Sequence, residues 1–132
     1  MKRYVFDSSA LISYFDGEHN AEKVADLLEE INEKGLDAFL CVINLGEIYY
    51  HFLRTGGNHI SDEIFKLTKT LPIKIIEANV ELTLSAGRIK AFNKMSYADC
   101  FAAALAESKR AFLVSSDREF KQIENKVKLY WI

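Results

Sequence analysis

Asp7, Glu47, Asp99 and Asp117 are far apart in the chain, yet each stands just after an apolar run or just inside the start of a helical pattern. Asp7 follows Arg3-Tyr4-Val5-Phe6, and Asp117 comes shortly after Ala111-Phe112-Leu113-Val114. Glu47 is three residues past Asn44, and Asp99 is three past Ser96. Carboxylates are hard oxygen ligands, and with no Cys or His cluster beside them they select Mg²⁺ or Mn²⁺ over zinc. One or two such ions suit phosphodiester hydrolysis, since the ion makes a water more acidic and steadies charge on the phosphate oxygens. With water as nucleophile the products carry a 5′-phosphate and a 3′-hydroxyl. Asp7 and Asp99 are expected to bind metal most directly, with Asp117 completing the shell or holding a water. Glu47 is expected to bind a second ion, or to orient or deprotonate water. Ser8 and Ser115 are expected to hydrogen-bond these carboxylates and fix their orientation.

Taken singly, each acid has a structural explanation. Asp7 and Asp117 suit N-caps, and Asn44-x-x-Glu47 and Ser96-x-x-Asp99 resemble capping boxes. Acids near helix N-termini are also stabilised by the macrodipole without any function. Capping, however, does not require separate helix ends to meet. Several carboxylates gathered at one rim repel one another and raise their pKa values, and a divalent cation removes that cost.

The elements that must gather them alternate along the whole chain. Residues 3–6 read as a strand, and Ser8–Phe15 as a helix with Leu11, Ile12 and Phe15 on one face, broken at Gly17. Asn20 is placed to cap a helix with the stripe Val24, Leu27, Leu28 and Ile31, stopped at Gly35. The continuous apolar run 38–43 suits a strand buried on both faces. Asn44 is expected to cap a helix to about Arg54, before Gly56-Gly57, and Ser61–Leu71 a further helix ended by Pro72. Residues 73–76 read as a strand. Asn79 caps a helix through Phe92, and Ser96 caps an alanine-rich helix from Tyr97 to about Ser108. Residues 111–114 form a strand, Asp117–Phe120 a short helical turn, and 127–131 a last strand. Strands separated by helices imply an α/β protein, one domain over 1–132, with a parallel sheet covered on both faces. In such a sheet ligands bind beyond the carboxyl ends of the strands, where three of the acids fall and where the Ser96 helix must carry the fourth.

Composition narrows the class. Apolar residues make up 49% of the 132, enough for a sizeable core. The formal charge is −2, from 17 basic and 19 acidic residues, so the chain does not coat nucleic acid by charge alone, and any contact with RNA is local. Cys41 and Cys100 form no C-x-x-C pair and read as buried, reduced thiols of a cytoplasmic protein. No stretch reaches the apolar length of a membrane span. The opening MKRYVFDSSALISYF is not read as a signal peptide, because Asp7 interrupts its apolar run and no small-residue cleavage site follows.

Arg88, Lys90 and Lys94 before Asp99, and Arg118 after Asp117, are placed to guide an RNA backbone toward the acids, though solvated helix faces explain them equally well singly. Tyr49, Tyr50 and Phe52 fit core packing or a dimer contact better than base stacking. His51 lies four residues past Glu47 but lacks a third partner for zinc, and reads as a surface residue. His19 and His59 sit in loop-like stretches.

The segments VFDSSALISYF, INLGEIYY, MSYADCFAAALA and FLVSSDREF, in that order and spacing, resemble PIN-domain proteins, and most of all the VapC-type toxins of prokaryotic toxin–antitoxin pairs. The likeness covers nearly the whole chain. It implies a three-layer α/β/α sandwich around a mostly parallel sheet of about five strands, Mg²⁺-dependent endoribonuclease activity, a homodimer and a small antitoxin partner. The family's acidic positions fall on Asp7, Glu47, Asp99 and Asp117. Ser115 stands where a threonine is more usual. An antitoxin helix would find a groove beside the two early helices, which carry exposed apolar residues.

Three rivals stand beside this reading. An RNA-processing nuclease would share the chemistry without an antitoxin. A phosphatase with Asp7 as nucleophile wants a second acid two residues on, where Ser9 stands. A non-catalytic α/β scaffold or signalling module is the third; its phospho-receiver form would carry paired acids after the first strand and a late Lys, and Asp7 has no acidic neighbour.

Overall fold

Successive side chains of a strand point to opposite faces of its sheet, so a strand buried on both faces needs apolar residues at every position. The computed structural model, which describes residues 1–132, shows this in each inner strand. In β1 (Arg3–Phe6), Tyr4 and Phe6 enter one core and Val5 the other. In β2 (Asp37–Cys41), Ala38 and Leu40 share the side of Tyr4, while Phe39 and Cys41 share that of Val5. In β4 (Phe112–Ser115), Val114 and Leu113 divide in the same way.

Helices supply the outer layers. On one face lie α1 (Ser8–Asp16), α2 (Ala21–Lys34) and α3 (Val42–Thr70), contributing Leu11, Leu27, Ile31 and Ile48 to the core. On the other lie α4 (Val80–Phe92) and α5 (Tyr97–Lys109). Residues Cys100 to Ala106 of α5 are all buried, which its run of alanines permits by letting it sit close to both the sheet and α4. The result is a three-layer α/β/α arrangement.

With β3 (Lys74–Ile76) and β5 (Leu129–Trp131), the sheet has the order β3-β2-β1-β4-β5, and every pairing is parallel. The chain builds outward from β1 to β3 on one side, then restarts at β4 on the other. The order therefore reverses between β1 and β4, and in open α/β sheets the carboxyl ends of the strands at such a reversal are where ligands bind.

Several local expectations are corrected. The run 38–43 is strand only to Cys41, level with Ile76 of β3, and turns into α3 at Val42 because the neighbouring strand also ends there. Asn44 is therefore inside α3 rather than its N-cap. The two helices expected on either side of Gly56-Gly57 are both present but run on until they meet, so they share the label α3, and the break between them is Gly57 at φ 84°, ψ 178°. That backbone region is open almost only to glycine. Asn20 precedes α2 but makes no side-chain cap, and its buried Oδ1 has no partner. Strand β4 is shifted by one residue, so Ser115 belongs to it. The helical turn after Asp117 is longer than expected, a 3₁₀ segment over Arg118–Ile123, and β5 is shorter. No helix is long and apolar enough to cross a membrane, and Cys41 and Cys100 are free and buried.

Candidate active site

Parallel pairing of β1 with β4 places Phe6 beside Val114, so Asp7 and Ser115 emerge together at the reversal point. The Asp7 N–H extends the ladder to the Val114 carbonyl at 3.2 Å. The Asp7 side chain folds over the start of α1, where Oδ1 accepts the Ala10 N–H at 2.8 Å. The Ser9 hydroxyl donates across both carboxylate oxygens, at 2.9 and 2.8 Å, and the Ser115 hydroxyl donates to Oδ2 at 2.5 Å. Asp7 is only 1% exposed. Burial pushes its carboxyl up to about 6 despite the Ser115, Ala10 and Ser9 donors, and the Asp117 charge adds to the rise. Asp7 is thus both a helix cap and a buried charge held by an unusually rich set of donors.

Asp99 arrives from the other face. Ser96 caps α5 by accepting the Asp99 N–H at 3.1 Å, which sets Asp99 in the first turn. Its carboxyl is pushed up to about 7, first by burial, then by the charges of Asp117 and Asp7 and, more weakly, of Glu47. Each sequence-predicted acid therefore acts on Asp99 through space, as carboxylates sharing one rim must.

Glu47 is fixed by Asn44. The Asn44 amide, fully buried, donates to Glu47 Oε1 at 3.0 Å and to the Ala98 carbonyl at 3.1 Å. One side chain thereby ties α3 to the start of α5, one residue before Asp99. The Asn44 Oδ1 has no partner.

Asp117 caps the 3₁₀ segment by accepting the Glu119 N–H at 3.0 Å. Its own N–H donates to the Ser115 hydroxyl at 2.9 Å. Carboxylate oxygens of Asp99, Asp117 and Glu119 lie within 4.8 Å of one another, the closest grouping of acids. Asp7 and Glu47 stand outside that close set. Glu119 went unremarked in the sequence. The available signal was its place two residues past Asp117 in a capped turn, which puts both carboxylates on the same end of the segment.

Other expectations divide. Ser8 makes no hydrogen bond to any carboxylate. The orienting hydroxyl is Ser9, because the N-cap side chain bends over the first turn toward the second and third helical residues. Lys90 is turned to the Met95 carbonyl at 2.6 Å and closes the α4–α5 connection, so it does not stand free along an RNA path. The Lys94 main chain is held by Gln122. Arg118 lies flat over the Trp131 ring at 4.2 Å, and Arg88 is exposed on α4. His51 faces Asp16 at 3.5 Å, and Phe52 is in the core.

The family model of the PIN domain matches residues 4–126. Similar solved structures include VapBC2 from Rickettsia felis bound to a promoter DNA fragment, at 17% identity, covering 98% of each chain, with a TM-score of 0.79. DNA-bound VapBC from Salmonella typhimurium is similar at 14% identity, covering 99% of this chain and 98% of that one, with a TM-score of 0.76. VapC20 from Mycobacterium tuberculosis, described as a sarcin-ricin loop cleaving toxin, is similar at 13% identity, covering 90% and 93%, with a TM-score of 0.71. At these identities the likeness is one of fold. No curated protein sequence matches the chain.

Proposed function

The chain belongs to the PIN-domain family, and from that premise we propose that it is a divalent-metal-dependent endoribonuclease, the toxin of a toxin–antitoxin pair. The observation that carries the proposal is the meeting of carboxylates at the rim: oxygens of Asp99, Asp117 and Glu119 lie within 4.8 Å of one another, and Asp117, Asp7 and Glu47 all push the Asp99 carboxyl up. Capping accounts for Asp7 and Asp117 singly but not for carboxylates meeting at one rim, whose repulsion a bound cation would remove.

The residues fit the ion. The donors are carboxylate oxygens alone, with Asp99, Asp117 and Glu119 within 4.8 Å of one another and neither His nor Cys in the set. That is the donor chemistry of Mg²⁺ or Mn²⁺. Asp99 and Asp117, with Glu119 or Asp7, would hold it. When bound, such an ion supplies positive charge for the scissile phosphate and makes water acidic enough to attack it.

The chain's own groups do the positioning. Ser115 and Ser9 keep Asp7 ionisable in a buried place by donating to both of its oxygens. Asn44 holds Glu47 by one oxygen, leaving the other able to accept a proton from water. Arg118, beside Asp117, offers a fixed cation to an incoming phosphate. Solved relatives described as toxin–antitoxin complexes, one from Klebsiella pneumoniae among them, support an antitoxin as partner.

The test is cleavage of total RNA by the purified protein with Mg²⁺, with Mn²⁺ and with EDTA, beside Asp7→Asn and Asp99→Asn. Metal-dependent cutting that both substitutions abolish is expected, and cutting that persists in EDTA overturns the mechanism. Growth arrest on expression, relieved by the product of an adjacent gene, tests the toxin role.

A further inference from the structure

At the end of the sheet opposite the acids, where the strands begin, lies a concavity of about 700 Å³. Its rim carries Lys2, Arg3, Arg110, Lys126 and Lys128 with Glu107, and Asp37 stands beside Arg3 at 3.7 Å. The chain as a whole has fewer basic than acidic residues, 17 against 19, so this is a local concentration and not a share of the overall charge. Between the cations the floor is apolar. It includes the half-buried ring of Phe112, with Lys128 Nζ 5.8 Å from its centre. Arg3 is anchored by donating to the Lys109 carbonyl at 3.2 Å. Arg110 ends α5 in the left-handed conformation at φ 52°, the C-cap position where glycine costs least. A non-glycine held there commits a cation to this rim.

Strand β5 joins this pole to the catalytic one. It is one of the two edge strands of the sheet. Exposed Lys128 precedes it, and at its far end Trp131 lies beneath Arg118, the neighbour of Asp117. From Lys128 to Trp131 is about 10 Å at the rise of a strand. That is short enough for one RNA strand to reach from the Arg118–Trp131 pair to Lys128.

We propose that this basic concavity is a second RNA-backbone site, and that an RNA strand bound at the acids runs along the β5 edge into it. The proposal rests on the ribonuclease reading above. Continuity through β5 with the Arg118–Trp131 pair beside the acids favours a polyphosphate chain over an acidic protein segment.

The test uses the full chain with Lys126→Gln and Lys128→Gln combined, beside a control in which exposed Lys23 and Lys66 are both changed to Gln. Equilibrium binding of a long hairpin RNA is measured in EDTA over a range of salt, and cleavage with Mg²⁺ is measured on that RNA and on a short oligonucleotide. In EDTA the pole variant is expected to bind about fivefold more weakly, with a log–log salt slope shallower by about 1.4 if both lysines meet phosphates of a single strand. With Mg²⁺, KM for the hairpin rises by a similar factor, kcat is unchanged, and the short oligonucleotide is cut at the wild-type rate. Equal affinity and slope in pole and control variants overturn the proposal. So does an equal loss on the short oligonucleotide, which would mark a structural role, or weakened capture of the antitoxin with RNA binding intact, which would mark a protein site. Absence of all metal-dependent cleavage would defeat the ribonuclease reading instead, while the EDTA binding data still decide this site.

Discussion

The Ser115 hydroxyl donates to Asp7 Oδ2 across 108 positions of the chain while accepting the Asp117 N–H at 2.9 Å. One small side chain on β4 thus connects two acids of the rim, orienting a carboxylate on one side and the backbone of the next acid on the other. Groups that orient metal ligands are commonly worth about 10- to 100-fold in metal affinity or activity. Ser115→Ala is therefore expected to raise the Mg²⁺ concentration for half-maximal cleavage at least about tenfold, and Ser115→Thr, which keeps the hydroxyl, to restore it. A metal titration unchanged in the alanine variant would refute this role.

Burial holds Asp7 at about 6 and Asp99 at about 7, both above the ordinary carboxyl value of 3.8. A carboxyl raised in the folded state contributes stability that is complete below its unfolded pKa and is lost as pH rises through the folded one. Metal-free protein should accordingly lose thermal stability between about pH 4 and about pH 8, with Asp99→Asn flattening the decline. Protons and cations compete for the same oxygens, so the rise in Tm from added Mg²⁺ should grow over that window. Melting curves across pH, with Mg²⁺ and with EDTA, make the comparison. A Tm increment independent of pH would count against these carboxyls as the site.

How much of this was legible in the sequence follows from the range of the forces involved. Alternating strands and helices announce themselves by local periodicity, and a parallel sheet follows from them. That Asp7 and Asp117 follow strands at the sheet's carboxyl end was legible too, but not that those two strands would be neighbours. What escaped was set by contacts between distant elements. Nothing near Asn44 says that its amide will reach the Ala98 carbonyl, so it read as a cap. The choice of Ser9 over Ser8 depends on which way one buried carboxylate bends. Lys90 looked free until the fold brought the Met95 carbonyl to it. Glu119 lay in the helical turn expected after Asp117, but that this turn would bring its carboxylate to Asp99 depends on where α5 packs.

Gly57 takes φ 84° and ψ 178° within α3, with nothing crowding the position where a Cβ would stand. The cost of substitution there is conformational rather than steric against neighbours. Gly57→Ala should destabilise the fold by about 1–3 kcal/mol with little effect on the acids. Urea unfolding reads the loss, and cleavage per folded molecule should be unchanged. A stable variant would mean that the kink relaxes into regular helix.

Asn44 offers the sharpest separation of position from stability. Its two donors are both used, on Glu47 and on the Ala98 carbonyl, inside a fully buried site. Asn44→Ala removes both bonds, releases Glu47 and unties α3 from α5, which together cost about 1–3 kcal/mol. Asn44→Asp nearly preserves volume but replaces the donors with a carboxylate facing a second carboxylate and a carbonyl. It should therefore destabilise more than alanine above the pKa of the new acid, and less below it. If Glu47 acts in proton transfer, both variants lower kcat with KM nearly unchanged, and the cleavage rate at saturating metal falls further than the folded fraction does. Urea unfolding at two pH values, beside single-turnover cleavage, distinguishes these effects. A kcat that simply tracks the folded fraction would reduce Asn44 to a strut between α3 and α5.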